Sequence, residues 1–113
     1  MKSFVSNLSL CIICILASVT ASAGGSTGWL KIEAVNQRDC SPNRGLEVAF
    51  TTTHRNPDAC SNARIVEVSC GLNTYKQLLA MILTAQSGSM QVDAYVSGCD
   101  AQGQAKVTAL KIR

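Results

Sequence analysis

Aromatic residues make up only 4% of this 113-residue sequence. Beyond Ala23 they are Trp29, Phe50, Tyr75 and Tyr95, too few for a platform that stacks successive bases of a nucleic-acid strand. Charge is also thin. Ten Lys and Arg against seven Asp and Glu give a net +3, and the cations are scattered singly, so the basic patch of a nucleic-acid binder is missing. His54 is the one histidine; it lies in a polar turn, and no Gly-x-Ser-x-Gly or comparable nucleophile motif accompanies it, which excludes a Ser-His-Asp scheme and leaves a solvated turn residue. Phosphate-binding glycine loops are absent, because Gly24, Gly25 and Gly28 lead into a strand, while Gly98 and Gly103 bracket a turn that no helix follows. The segment Asp100-Ala-Gln-Gly-Gln lacks the alternating acidic ligands of a calcium loop. Asp93 and Asp100 could work as paired carboxylates on a sugar, but pairs of acids near a strand end arise by chance and so small a domain leaves little room for a deep cleft. No catalysis, cofactor or metal is expected.

The amino-terminal residues read as a secretory signal peptide. Lys2 supplies the positive start, Leu8 to Ala17 (LSLCIICILA) the apolar run, and Ala21-Ser22-Ala23 a small-residue exit. The run falls short of the roughly 20 residues a spanning helix needs, so no stable membrane anchor is expected. Cys11 and Cys14 form a Cys-x-x-Cys pair inside the discarded run and carry no metal or redox expectation. Lipidation would want a small residue before the cysteine, where Leu10 and Ile13 stand. Cleavage after Ala23 leaves one domain, secreted or periplasmic, that starts at Gly24.

A chain this short buries a limited core and tends to need covalent help. Of six cysteines, Cys40, Cys60, Cys70 and Cys99 remain after cleavage. An even number in an exported chain, without the close Cys-x-x-Cys or Cys/His pairs of a zinc site, predicts two disulfides.

Gly24 to Gly28 (GGSTG) reads as a flexible lead-in with nothing to bury, and the domain proper is expected over 29–113. Trp29 to Val35 is the first period-two segment, with Leu30, Ile32 and Ala34 on one face and Lys31 and Glu33 on the other. Leu46 to Thr53 alternates Leu46, Val48 and Phe50 against Glu47, Ala49 and Thr51, and Ala63 to Ser69 supplies a third strand rich in β-branched residues. The period then changes. Asn73 or Thr74 is placed to cap a helix on which Tyr75, Leu78, Leu79 and Ile82 recur at helical spacing, and Gly88 to end it. Met90 to Ser97 and Ala105 to Arg113 are the last strands, joined by a turn through Gly98 to Gly103.

The order β-β-β-α-β-β matches the OB-fold, a small, partly open five-stranded barrel, although other small α+β folds share it. In an up-down-up meander the ends of the first and third strands share an edge, which brings Cys40 near Cys70. Cys60 follows the second strand at the opposite edge, where the fourth strand of an OB barrel would bring Cys99. The expected bridges are Cys40–Cys70 and Cys60–Cys99, one of the three pairings four cysteines allow.

From Tyr75 through Cys99 (YKQLLAMILTAQSGSMQVDAYVSGC) an aromatic residue and the Leu78-Leu79 pair lie on the helix, and Ser87-Gly88 ends it. Val92 and Tyr95-Val96 then lie on a strand leading to Cys99, with Cys60 ahead of the third strand. This pattern resembles small exported bacterial proteins similar to the OB-fold B (binding) subunits of AB5 toxins. It covers about half of the expected mature chain and lacks the Lys-Lys common after the glycine, where Ser89 and Met90 stand. The resemblance implies a homo-oligomer, typically a pentamer with helices around its pore, a glycan-binding face, and a toxin-like A subunit as partner. The helix is apolar over more than one stripe. Ala85, Leu78, Ile82, Tyr75, Leu79 and Leu83 span a wide arc that Met81 extends, whereas a helix with one core contact shows a stripe nearer roughly 100° wide. Deep burial of a sole helix and an oligomer contact both fit.

The expected function is a non-enzymatic binding module. The loop residues His54, Arg55, Asn56, Asp100, Gln102 and Gln104 could offer donors and acceptors to a glycan, with Tyr95 as a stacking face. Trp29 reads as a partly buried core or interface anchor. An exported inhibitor or accessory protein of a hydrolase or toxin, acting by protein–protein contact, is the alternative.

Overall fold

The computed structural model describes residues 24–113; the expected signal peptide with Cys11 and Cys14 lies outside the described residues. Five strands, β1 (Gly25–Gln37), β2 (Arg44–Phe50), β3 (Asn62–Ser69), β4 (Gln91–Cys99) and β5 (Gln104–Ile112), surround one core, and helix α1 (Tyr75–Ser87) connects β3 to β4. The strands close into a barrel in the order β1-β2-β3-β5-β4. All neighbours are antiparallel except β3 and β5, which run parallel. This is the small OB-like barrel that the element order predicts.

Alternation explains most of the interior. Leu46, Val48 and Phe50 on β2, Val66 and Val68 on β3, and Val92, Ala94 and Val96 on β4 are all buried, with Val107 closing the ring from β5. Each fully buried side chain of the Val, Leu or Phe type removes apolar surface worth about 1.5–3 kcal/mol. Leu78, Ile82 and Ala85 cover the core from α1.

Closure depends on β1, whose 13 residues pair with β4 along the first half (Gly25↔Val96 to Lys31↔Gln91) and with β2 along the second (Ile32↔Phe50 to Gln37↔Leu46). A strand serving two neighbours in turn must bend, and β1 does so at two register shifts, between Ser26 and Trp29 and between Ile32 and Ala34. Extra residues at such points increase local twist. Gly28, at φ +79° within the first shift, adopts a conformation that only glycine takes at no steric cost. The second shift corrects the expected facing. Ala34 is exposed and Val35 packs against the core, because the bulge moves the inward set by one residue.

The lead-in is corrected as well. Residues 25–28 belong to β1, and Thr27 is buried with its hydroxyl accepting the Ala94 N–H at 3.0 Å. Ladder bonds come from the backbone, so a Gly/Ser/Thr run that resembles a linker can still form a strand. The second strand stops at Phe50 rather than Thr53. There the Phe50 carbonyl accepts from Arg64 Nη2 at 3.0 Å and Nε at 3.3 Å. Helix α1 spans the expected residues, but neither Asn73 nor Thr74 caps it: Thr74 occupies the N-cap position without a side-chain bond. Gly88 does end the helix, its N–H reaching Thr84 O at 3.0 Å, and the left-handed residue that follows is Ser89 at φ +53°.

Both expected bridges form, Cys40–Cys70 with Cα atoms 5.9 Å apart and Cys60–Cys99 with 5.6 Å. Disulfides of this kind persist in oxidising compartments. No helix among the described residues is long and apolar enough to cross a membrane.

Candidate functional site

A groove of about 630 Å³ lies on the outer wall of the barrel. Its ends are the β1–β2 loop (Pro42, Asn43) and the β4–β5 turn (Asp100, Ala101, Gln102), and its floor is the β3/β5 seam with Glu67 and Lys106. Glu67 and Lys106 are register partners on these parallel strands, and Glu67 is also the cross-strand partner of Glu47 on β2. Two carboxylates directly opposite repel one another, and the surrounding side chains resolve this in different ways.

Glu47 is neutralised by its neighbours. It accepts from Gln104 Nε2 at 2.6 Å, Arg44 Nη2 at 3.0 Å, Arg38 Nη1 at 3.1 Å and Asn36 Nδ2 at 3.1 Å. The Gln104 hydrogen bond does most to hold its carboxyl below the ordinary range; burial opposes this, while Arg44 and Arg38 add to it. Glu67, only 4% exposed, behaves in the opposite sense. Burial pushes its carboxyl up, the neighbouring Asp100 carboxylate adds to the shift, and Arg44 and Lys106 oppose it. The closeness of the Asp100 side chain thus favours the protonated form of Glu67.

Asp100 is fixed by its own turn. Oδ1 accepts the backbone N–H of Gln102 at 2.9 Å and of Gln104 at 2.8 Å. Oδ2 is buried and receives no hydrogen bond among the described residues, and Arg44 Nε, a donor on the same groove wall, likewise has no acceptor. With Glu67 ionised, the groove therefore holds a buried acceptor and a buried donor whose hydrogen bonds the protein does not make. Leaving such groups without partners costs about 1–3 kcal/mol each.

The residues expected at the site separate into four groups. Asp100 and Gln102 line the groove. Gln104 lies beneath it, 5% exposed and bonded to Glu47, where it supports the wall and offers nothing to a ligand. Tyr95 is exposed on a different surface, beside a smaller hollow of about 130 Å³ that it shares with Ser26 and Asp93. Asp93 bonds the Ser26 hydroxyl there, so the acid that accompanies Asp100 is Glu67 and not Asp93.

His54, Arg55 and Asn56 sit in the β2–β3 loop and do not line the groove. His54 is not a solvated turn residue. Its ring is buried edge-on against Phe50 with centroids 6.1 Å apart, and its Nδ1 meets the Arg55 carbonyl. Asn56 uses its side chain internally, accepting from Cys60 N at 3.0 Å and donating to Cys60 O at 2.5 Å. Arg55 is exposed near Gly28. Trp29 is partly buried, with the Arg113 guanidinium 4.2 Å above its ring.

Glu67, Arg44 and Lys106 escaped the sequence reading. Glu67 falls on the outward phase of β3, between Val66 and Val68, and alternation marks such a carboxylate as solvated. Only the fold shows that two loops and β5 cover it. Among the described residues no group of three or more His, Cys, Asp or Glu is placed to hold a metal ion. No family model, curated protein or solved structure matches the chain.

Proposed function

We propose that this protein is an exported, non-enzymatic binding module that takes a hydroxyl-rich ligand, a glycan, in the groove between the β1–β2 loop and the β4–β5 turn. One observation carries the reading: the buried Asp100 Oδ2 without a donor, in a groove that also holds the Arg44 Nε without an acceptor. A sugar hydroxyl both donates and accepts, so adjacent hydroxyls complement such a pair. The place agrees with the fold, since OB barrels engage oligosaccharides and oligonucleotides with the face of β2 and β3 and with these two loops. The scattered charge of the chain favours the saccharide. Asp100, Arg44, Gln102 and Lys106 are the contacts, with Glu67 behind Asp100. Export is supported by the amino-terminal sequence pattern and by the two disulfides.

Self-association belongs to the same reading. Leu83 is 47% exposed on α1, while Tyr75 and Leu79 pack against the core. A ring of copies resembling AB5 toxin B subunits would cover Leu83, multiply weak glycan contacts into avidity and present a platform to an A subunit. Tyr95, 48% exposed on β4 away from the groove, favours a second reading in which the protein is an inhibitor or accessory protein that grips another protein.

A glycan array probed with protein made in an oxidising compartment tests the first reading. Binding should be lost in Asp100→Asn, which keeps the acceptor for the turn amides and replaces Oδ2 with a donor. An array without hits, or hits that survive this substitution, would contradict it.

A further inference from the structure

We infer that Asp58 is the docking site for the protein's own α-ammonium group, formed at Gly24 when the chain is cut between Ala23 and Gly24. The inference rests on the export reading for the position of the cut, and on the geometry around Gly24 for the rest. Gly24 N donates to Asp58 Oδ1 at 3.1 Å, and Gly98 N donates to Asp58 Oδ2 at 2.6 Å. One carboxylate thus clasps the residue preceding β1 and the end of β4, two strands that pair at Gly25↔Val96. It is held in place from its own loop, where Asn56 bonds both backbone groups of Cys60 and Cys60 is bridged to Cys99.

The position also selects glycine. Gly24 lies at φ +59°, and a Cβ there would come within 3.1 Å of the Tyr95 hydroxyl and 3.2 Å of Val96 O. Hydrolysis adds water across the Ala23–Gly24 bond. The hydroxyl goes to the Ala23 carbonyl carbon, the C–N bond breaks, and the released Gly24 amine takes up a proton. A single neutral N–H donating to the Asp58 carboxylate becomes a cation with three donors, so a hydrogen bond to an ionised acceptor becomes an ion pair. The titratable groups around this ammonium are Asp58 from the β2–β3 loop and Tyr95 from β4; Arg55, beside Gly28, is the cation facing the same half of β1. Removal of the leader would therefore tighten the β1/β4 seam, and the folded protein would register that it has been processed.

Mass spectrometry of the exported protein reads the cut. A first residue other than Gly24 would overturn both the cleavage position and this inference. The dock is tested separately on protein released in vitro to begin at Gly24, by following the α-amine with pH-dependent NMR. Its pKa is expected at least about one unit above the ordinary 7.7–8.0, with the thermal midpoint falling as pH rises through that value. In Asp58→Asn the shift should vanish. Because Gly98 also depends on Asp58, two proteins with the carboxylate intact serve as second controls: Nα-acetylated Gly24 and a chain retaining Ala23 should both melt lower at neutral pH and lose the alkaline dependence. An unshifted α-amine in protein that begins at Gly24 would overturn the dock and leave the export reading untouched.

Discussion

Removing the Cys60–Cys99 bridge should cost this barrel more than removing Cys40–Cys70, although loop length treats the two almost alike. The bridges close separations of 39 and 30 residues, for which the chain-entropy relation gives about 4 kcal/mol in each case, differing by only about 0.2 kcal/mol. The structure separates them. Cys60 is 6% exposed and part of the core cluster, and the Asn56 amide is anchored on its backbone, whereas Cys40 lies in an exposed loop at φ +65°. Replacing Cys60 and Cys99 with Ala should therefore add a loss of buried contact of about 1 kcal/mol to the entropic term. Urea unfolding of the two double-Ala variants, compared at constant m-value, measures the difference. Cys99 also lines the groove and precedes Asp100, so the first variant should lose ligand binding that the second keeps. Equal stabilities, or a larger loss from Cys40–Cys70, would show that the buried contacts of Cys60 add nothing to loop closure.

Three further outcomes follow from the geometry. Gly45→Ala should destabilise the domain by about 2–3 kcal/mol, read as a lower thermal midpoint, because its Cβ would lie 2.7 Å from Val68 O and 2.9 Å from Cys70 N and would also strike the Tyr75 ring. Glu67 and Glu47 should show opposite pH dependence. The folded state holds the Glu67 proton more tightly than the unfolded chain, so its contribution is complete below about pH 4.5 and is lost as pH rises through the folded value; Glu67→Gln should stabilise at pH 7 and have no effect in acid. Glu47, held down, contributes above about pH 4.5 and loses that contribution as pH falls through its folded value, so Glu47→Gln should destabilise at pH 7; urea titrations across pH check both signs. Leu83→Glu should leave monomer stability within about 0.5 kcal/mol of the parent while abolishing self-association in light scattering.

Period-two alternation made β2 and β4 legible with their inward faces correct, and the change of period located α1. Element order and cysteine placement together gave the barrel and both bridges. The misreadings share one origin, in that alternation describes a strand as an isolated ribbon. It says nothing of a bulge, so Ala34 was assigned the inward place that belongs to Val35. It says nothing of what covers the outer face, so it marks Glu67 as solvated; separately, a polar turn gives no sign of the Phe50 ring against which His54 is buried. Residues 25–28 read as a linker for lack of apolar side chains, although their backbone pairs with β4 and Thr27 is buried. At the candidate site, Asp100 and Gln102 were legible as turn residues. Arg44, Glu67 and Lys106 were not, because three strands must come together before these side chains meet.

Glycan binding in the groove over the β3/β5 seam is the function we propose for this protein. Its most direct measurement is a two-dimensional amide NMR titration of the 24–113 protein with the glycan that binds best on the array. Saturable shifts are expected at the Asp100–Gln104 turn, Arg44 and Lys106, with none at Leu83. Shifts confined to Tyr95 and its neighbours on β5, or to Leu83 on α1, would overturn that proposal.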